Sequence, residues 1–512
     1  MPVYPLSSET PFESSRNCFE ELVKKVSSTT ALALQHDEVE RFVEEDGREL
    51  LRRLYQAHLD LRAVKEAGRA APTGADGERR GQRRDRERRL SVIFGTVDVR
   101  RQSFGARGSS GGLRPLDVEL NLPEEQYSLG VRRQVVDLVV TQSFDASVEK
   151  LRARTGTKIA KRQVEELTVQ AAVDFDAFYG HRHEAMLDAP VSSADLLVLS
   201  TDGKGIVMRR EGLRAETRRK ADRESGKLVT RLSPGEKGNR KRMAEVAAVY
   251  DLQVQLRTIE DVLPRASTSL EEAPPRAKRP RAANKRVWAS LKKPLKTVVK
   301  QCFEEALARD AWLDRQWVYL VDGNQDQLRE GRALGEAYGA KLTIVVDFIH
   351  VLEYLWKAAW CFFESGDKGV EAWVLKHSTA VLQGKASSVA GGLKRAATMR
   401  KLTTNRRVNV DKCARFLLNQ KDYLHYDDYL ARGLPIATGV IEGACRHLIN
   451  DRLGITGARW GLERAEAMLQ LRALKSSGDL DEYWAFHRRQ ELHRNHLSRY
   501  AETEFPALRA AA

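Results

Sequence analysis

Residues 196–210 read LLVLSTDGKGIVMRR: an apolar run meets an acid, passes two glycines around a lysine, turns apolar again and ends in two arginines. An unbroken apolar run of this length suits a strand covered on both faces, the pattern of a parallel sheet. Asp202 at its end then has two readings. Asp-Gly is a standard hairpin signal, which would make two short strands around a turn. An acid ending a buried strand also projects from a sheet edge, where ligands gather. Taken singly, Asp202 is sufficiently explained by the turn.

The flanking sequence places this stretch in a run of strands. MAEVAAVYDLQVQ (243–255) predicts a third strand, WVYLVDGN (317–324) a fourth and KLTIVVDFIH (341–350) a fifth. KRVWASLKKPLKTVVKQCFEEALARD (285–310) predicts one long helix kinked near Pro294, and QDQLREGRALGEAYG (325–339) another. Residues 264–285 are rich in Pro, Ala and charge and read as a surface insertion. The order of three strands, helix, strand, helix, strand and then helices resembles an α/β ribonuclease-H-like mixed-sheet core. Residues 366–430 look helical and polar, and a helical block around a glycine-containing turn covers 438–474.

Upstream, the leucines of GRELLRRLYQAHLDLRAVKEAG (47–68) recur at intervals of three and four, which predicts a helical N-terminal module over 1–70. Residues 71–89 carry Pro72, Gly74 and an arginine run, a basic linker that is either a solvated spacer or an arm on a phosphate backbone. LSVIFGTVDVRRQSFGARG (90–108) predicts a β-hairpin around Gly95. SFDASVEKLRARTGTKIAKRQVEEL (143–167) outlines a helix-turn-helix whose second helix opens with Lys161, Arg162 and Gln163. That outline fits a DNA-binding module led by its basic first turn, or an ordinary αα-hairpin. The expected organisation is therefore a helical module (1–70), the linker (71–89), a hairpin and helix-turn-helix region (90–188), a core in two parts (189–364 and 431–490) around a helical insertion (365–430), and a tail (491–512).

Charge narrows the class of partner. The 512 residues hold 86 Lys and Arg against 71 Asp and Glu, a net charge of +15, and such a surplus favours a polyanion because each neutralised phosphate releases counterions. Aromatic residues at 7% speak against a reader of stacked RNA bases. Five scattered cysteines without a C-x-x-C pair indicate neither a zinc ribbon nor a disulfide framework. With no apolar leader and no membrane-length run, the expected setting is the reducing cytoplasm, with no membrane partner.

The acids carry the chemistry. Asp322 repeats the arrangement of Asp202, an apolar strand ending in Asp-Gly, but a helix follows it, so a hairpin explains it less well than a helix cap does. If the two strands are neighbours, their ends bring both carboxylates together, and such a pair repels unless a hard cation, Mg²⁺ or Mn²⁺, sits between them. Glu442, in TGVIEGACRHL, is a candidate third ligand, with an i, i+4 ion pair to Arg446 as its ordinary alternative. Asp347 rivals Asp322: it ends a strand with His350 three residues on, either as a metal-binding D-x-x-H pair or as a helix N-cap. We place Asp347 and His350 behind the ligands. Lys204, Arg446, Arg452, Arg459 and Trp460 are candidate DNA contacts, each with a plain solvated or buried alternative.

The stretches STDGKGI, RKRMAEVAAVYD, LVDGN, DFIHVLEYLWKAAWCFF, LPIATGVIEGACRHLINDRLGITGARWGLERAEAMLQLRAL and DEYWAFH, with LNLPEEQYS and KRQVEEL upstream, resemble bacterial insertion-sequence transposases of the DDE type, of the ISKra group. The resemblance covers most of the chain. It implies a ribonuclease-H-like catalytic core with an Asp, Asp, Glu triad split by a helical insertion, which by match falls on Asp202 in STDG, Asp322 in LVDG and Glu442 in GVIEG. The C-x-x-H or D-x-x-H motif of related transposases corresponds to Asp347 and His350. It further implies two Mg²⁺ (or Mn²⁺) ions, hydrolysis of double-stranded DNA at transposon ends to a free 3′-hydroxyl, and attack of that hydroxyl on target DNA. Pairing of two ends calls for a dimer or larger assembly associated with the nucleoid. A nuclease of the same fold without strand transfer, and a DNA-binding regulator with structural acids, are the alternatives; a glycosidase with a carboxylate pair suits the positive charge least.

Overall fold

The computed structural model describes residues 10–108, 111–186, 194–223, 240–263, 280–455 and 457–510. The expected surface insertion at 264–285 lies outside them up to residue 279. The chain forms a mixed α/β protein, mostly helical, and divides into two compact units, Met1–Phe178 with Leu480–Ala512, and Tyr179–Asp479. Among the described residues no helix is long and apolar enough to cross a membrane.

The first unit begins with helices α1 (Glu13–Val26) and α2 (His36–Glu66), followed by a hairpin of β1 (Gln82–Val92) and β2 (Gly95–Gly105). The hairpin is longer than its sequence suggested. Val92 pairs with Gly95 at the turn and the ladder runs out to Gln82 opposite Gly105, so residues 82–89 of the expected basic linker are strand. Leu90, Val92, Val97 and Val99 bury one face of it against Leu59 of α2. Helix α3 (Leu129–Val139) then packs with α4 (Phe144–Thr155) and α5 (Lys161–Gln170). Ser143 caps α4, and Gly156 ends it with a left-handed φ of 68°, so two helices flank the break at Thr155-Gly156-Thr157.

The second unit is built on a five-stranded sheet ordered β5 (Ala283–Ser290), β4 (Lys241–Leu252), β3 (Leu196–Val207), β6 (Gln316–Val321), β7 (Leu342–Val346). β4 runs antiparallel to β3 and β5, whereas β3, β6 and β7 are parallel. Two expectations fail here. The first is the turn at Asp202-Gly203. β3 is one strand of 12 residues, and its pairing with β4 continues through Asp202↔Val246 and Lys204↔Ala244 to Val207↔Lys241. Neither Gly203 nor Gly205 has the positive φ that a two-residue hairpin turn would need. They lie under the side chains of β4: a Cβ on Gly205 would be 2.9 Å from Lys241 Cδ, and one on Gly203 3.1 Å from Met243 Cε.

The second failure is the long helix over 285–310. Its first part, RVWAS, is rich in β-favouring residues and forms edge strand β5 on β4, with Ser290 opposite Glu245; helix α6 (Leu295–Arg309) starts only after Pro294. A proline at a helix start and a proline inside a kinked helix look alike in one sequence.

Phe303 of α6 packs edge-on to Tyr319 on one face of the sheet, its ring centroid 5.7 Å away. Helix α7 (Gln325–Tyr338) follows β6, and α8 (Phe348–Ala359) follows β7. The expected insertion is helical: α9 (Gly369–Leu382), α10 (Ala386–Met399) and α11 (Thr404–Asn419), with α8 packed on α9 and α11. Helices α12 (Gly439–Ala444) and α13 (Leu462–Ser477) complete the unit.

Helix α7 approaches the sheet closely enough that its Gly331 has no room for a side chain: a Cβ would fall 2.3 Å from the fully buried ring of Tyr319. Gly331→Ala is therefore expected to destabilise the protein by about 1–3 kcal/mol, as overpacking does. Gly391 in α10 faces open space, and Gly391→Ala is expected to stabilise by about 0.5–1 kcal/mol. Urea unfolding midpoints of the two variants, moving in opposite directions, check this packing.

Candidate active site at the strand ends

The parallel ladders set three aspartates at one level. β3 pairs with β6 from Leu196↔Gln316 to Ser200↔Leu320; carried two residues on, that register puts Asp202 beside Asp322. β6 pairs with β7 up to Val321↔Val346, and one residue further puts Asp322 beside Asp347. Side chains alternate along a strand, so residues at one level of a parallel sheet share a face, with neighbouring strands about 4.8 Å apart. Two side-chain bonds brace β3 against β6 just before this level: Ser200 Oγ donates to Leu320 O at 2.6 Å, and Thr201 Oγ1 and the Tyr319 hydroxyl are 2.6 Å apart.

Asp347 is fully buried and committed. It caps α8 by accepting from the Ile349 N–H at 2.8 Å, and its other oxygen accepts from the Thr438 hydroxyl. His350 Nδ1 lies 3.7 Å from Asp347 Oδ2, an ion-pair distance. Asp347 chiefly, and then Asp322, raise the imidazole above its ordinary pKa. Both groups thus lie beside Asp322, whose Oδ1 accepts from the nearby Asn324 N–H at 2.9 Å.

Glu442 reaches the same place from the helical side. Its helix α12 runs into a π-helical segment, Cys445–Asn450, a winding often found at functional sites. Cys445 Sγ donates to Asp202 Oδ2 at 3.2 Å, and Glu442, one turn earlier, shares its helix face. The electrostatics agree. Burial first, then the charge of Asp202, lifts the Asp322 carboxyl above its ordinary value. Burial first, then Asp347 and Asp202, does the same for Glu442. The arrangement is a set of oxygen donors that disfavour one another's ionisation, which is the donor chemistry a hard divalent cation would relieve. Among the described residues, however, no three Asp, Glu, His or Cys side chains are close enough to hold an ion as they stand. The charge of Asp202 acts on both Asp322 and Glu442, so these three are the candidate donors.

The expected DNA contacts divide. Lys204 is two residues beyond Asp202 on the same face of β3, and its charge acts on Cys445. Arg446 and Arg459 are exposed, Arg446 with Nε 3.6 Å from Asp451. Arg452 and Trp460 are corrections: they are 4% and 6% exposed, and the guanidinium stacks over the indole at 4.9 Å. Trp460 also bonds through its backbone to Val207 and Arg209, so the pair closes the chain against the end of β3 and is not open to a phosphate. In the first unit Lys161 and Arg162 are exposed but held by Asp145 at 2.7 Å and Glu166 at 3.0 Å. Sequence reasoning missed Cys445, although its i+3 spacing from Glu442 could have shown it, and Thr438, for which no local signal exists.

Compared with protein-family models and with curated proteins, the chain finds no match.

A carboxyl whose pKa is raised on folding holds its proton more tightly in the native state, so stability falls as pH rises through and above the unfolded value. For Asp322 that loss begins near its ordinary value of 3.8. Asp322→Asn is accordingly expected to raise the melting temperature relative to the native chain, by more at pH 7 than at pH 4, when measured in EDTA. Equal gains at both pH values would show that like-charge repulsion is not what Asp322 contributes.

Proposed function

We propose that the Tyr179–Asp479 unit is the catalytic core of an insertion-sequence DNA transposase of the DDE type, in keeping with the sequence's resemblance to the ISKra group. The observation that carries this reading is the parallel register of β3 and β6, which continued past its last pair sets Asp202 level with Asp322, together with the Cys445 bond to Asp202 one helical turn from Glu442. A sheet in which one antiparallel strand, β4, lies between β5 and β3 while the other four run parallel supports a ribonuclease-H-like core.

In this reading Asp202, Asp322 and Glu442 would hold Mg²⁺ or Mn²⁺, which when bound stabilises charge on a phosphodiester and lowers the pKa of an attacking water or hydroxyl. The chain supplies the rest. β3 and β6 fix the two aspartates so that little reorganisation is needed when the cation enters. The Cys445 thiol holds Asp202 in place, Glu442 on the same helix face would be the third donor, and Asp347 with His350 lies beside Asp322. Lys204, on the Asp202 face of β3, neutralises a phosphate of the scissile strand. Water first frees a 3′-hydroxyl at the transposon end, and that hydroxyl then attacks target DNA. The helix-turn-helix of α4 and α5 would bind the terminal repeats, Lys161 and Arg162 exchanging their acids for phosphates, in an assembly of at least two chains.

The native chain is expected to cut a transposon-end duplex in Mg²⁺ and not in EDTA, and Asp202→Ala, Asp322→Ala and Glu442→Ala are each expected to lower the rate by at least about a hundredfold. Asp347→Asn should keep cleavage and lower stability by about 1 kcal/mol through its weakened cap and lost charge. If Asp347→Asn abolishes cutting while Asp322→Ala does not, the second ligand is misassigned. Cleavage without joined products from a donor with terminal repeats would leave a nuclease, and full activity in Asp202→Ala a DNA-binding regulator.

A further inference from the structure

A cavity of about 250 Å³ in the first unit is lined by four arginines, Arg88, Arg101, Arg114 and Arg499, against two carboxylates, Asp117 and Glu124. The alternation of the hairpin explains how two of them come to be there. On β2, Val97, Val99 and Arg101 point inward in turn, and on β1 Arg88 shares the face of Leu90 and Val92. Arg101 therefore occupies a position where the pattern asks for an apolar side chain, and its side chain is only 7% exposed. A guanidinium in such a place costs several kcal/mol unless it is paired and hydrogen-bonded.

The pairing is incomplete. Arg101 Nε is 2.9 Å from Asp117 Oδ1 but outside hydrogen-bond geometry, and the Nε–H groups of Arg88, Arg101 and Arg114 are all buried without an acceptor among the described residues. Backbone oxygens hold the outer nitrogens of Arg88, which donate to Glu124 O at 3.0 Å and Pro123 O at 2.6 Å. Burial chiefly, then repulsion from Arg114 for Arg88 and from Arg88 and Arg114 for Arg101, lowers the pKa of both, in spite of Asp117. His496, whose Nε2 is 2.7 Å from Leu122 O, is kept toward its neutral form by burial and does not add a fixed charge.

We propose that this cavity binds a phosphate group, held by the guanidiniums of Arg88, Arg101, Arg114 and Arg499. Guanidinium forks match phosphate oxygens two at a time, and a cavity of 250 Å³ takes a phosphate with part of what carries it but is smaller than most drug-sized sites, which start at about 300 Å³. The chemistry is shared by a free phosphate or nucleotide and by the 5′-phosphate of a DNA end. The proposal does not depend on the catalytic reading of the second unit.

The test is calorimetric titration of the full chain with inorganic phosphate, followed by competition with duplexes bearing either a 5′-phosphate or a 5′-hydroxyl. Arg114→Gln and Arg499→Gln should each weaken phosphate binding by at least about fivefold, and Glu124→Gln should tighten it by removing a like charge at the rim. Arg499 is exposed, so that variant stays informative even if Arg114→Gln unfolds. Competition by the 5′-phosphate duplex alone identifies a DNA end as the source, and competition by neither duplex a small phosphate compound; either supports the site. No binding of millimolar phosphate to the native chain, or equal affinity in folded Arg499→Gln and Glu124→Gln variants, overturns it.

Discussion

The parallel pairing of β3 with β6 is the constraint on which the second unit depends. Those two strands are far apart in sequence, and no local interaction brings them together; the ladder does so, and the register of that ladder decides what meets at its end. A slip of one residue would send Asp322 to the opposite face from Asp202. Ser200 and Thr201 make such a slip costly, because each spends its hydroxyl on β6 at a position where burial leaves no water as a substitute. Apolar strands alone would pair in several registers, and polar side chains just short of the carboxylates select one.

Legibility in the sequence followed the range of the interactions involved. The strands at 317–321 and 342–346 and the helices of the insertion were readable because hydrophobic period and element ends are local properties. Asp202 and Asp322 were readable as candidates because acids that end apolar runs are conspicuous. The turn at Asp202 was misread because a glycine in an extended strand and a glycine in a tight turn differ only in what lies next to them. Here the neighbours are Lys241 and Met243, some 40 residues away. β5 was hidden by helical spacing that continued past Pro294, and only the unpaired edge of β4 shows why those residues extend. Arg452 and Trp460 carried types suited to DNA contact, but burial is a sum over the whole fold, and it turned both inward.

The arginine run between Arg79 and Arg89 shows the same limit from the other side. As sequence it is a block of like charge, which is read as solvated or as bound to a polyanion. Once residues 82–92 are a strand, neighbours part company: Arg89 points to solvent, and Arg88 is drawn toward the hairpin's inner face, where Arg101 and Arg114 already lie. Composition counts these charges as equal. The fold makes one of them expensive.

Each unit thus keeps a group of like charges that its own residues neutralise only in part, carboxylates at the strand ends in one and guanidiniums beside the hairpin in the other. A protein selected for stability alone has cheaper options at both places, since an asparagine at 322 or an apolar residue at 101 would remove the repulsion or the desolvation and keep the packing. On the proposals made above a counter-charge from outside would complete each cluster, and the sign of each cluster sets the sign of that partner: a cation at Asp202 and Asp322, and an anion among Arg88, Arg101 and Arg114. In both cases the repulsion among groups held in place by the fold would be the portion of the binding energy spent in advance on their preorganisation.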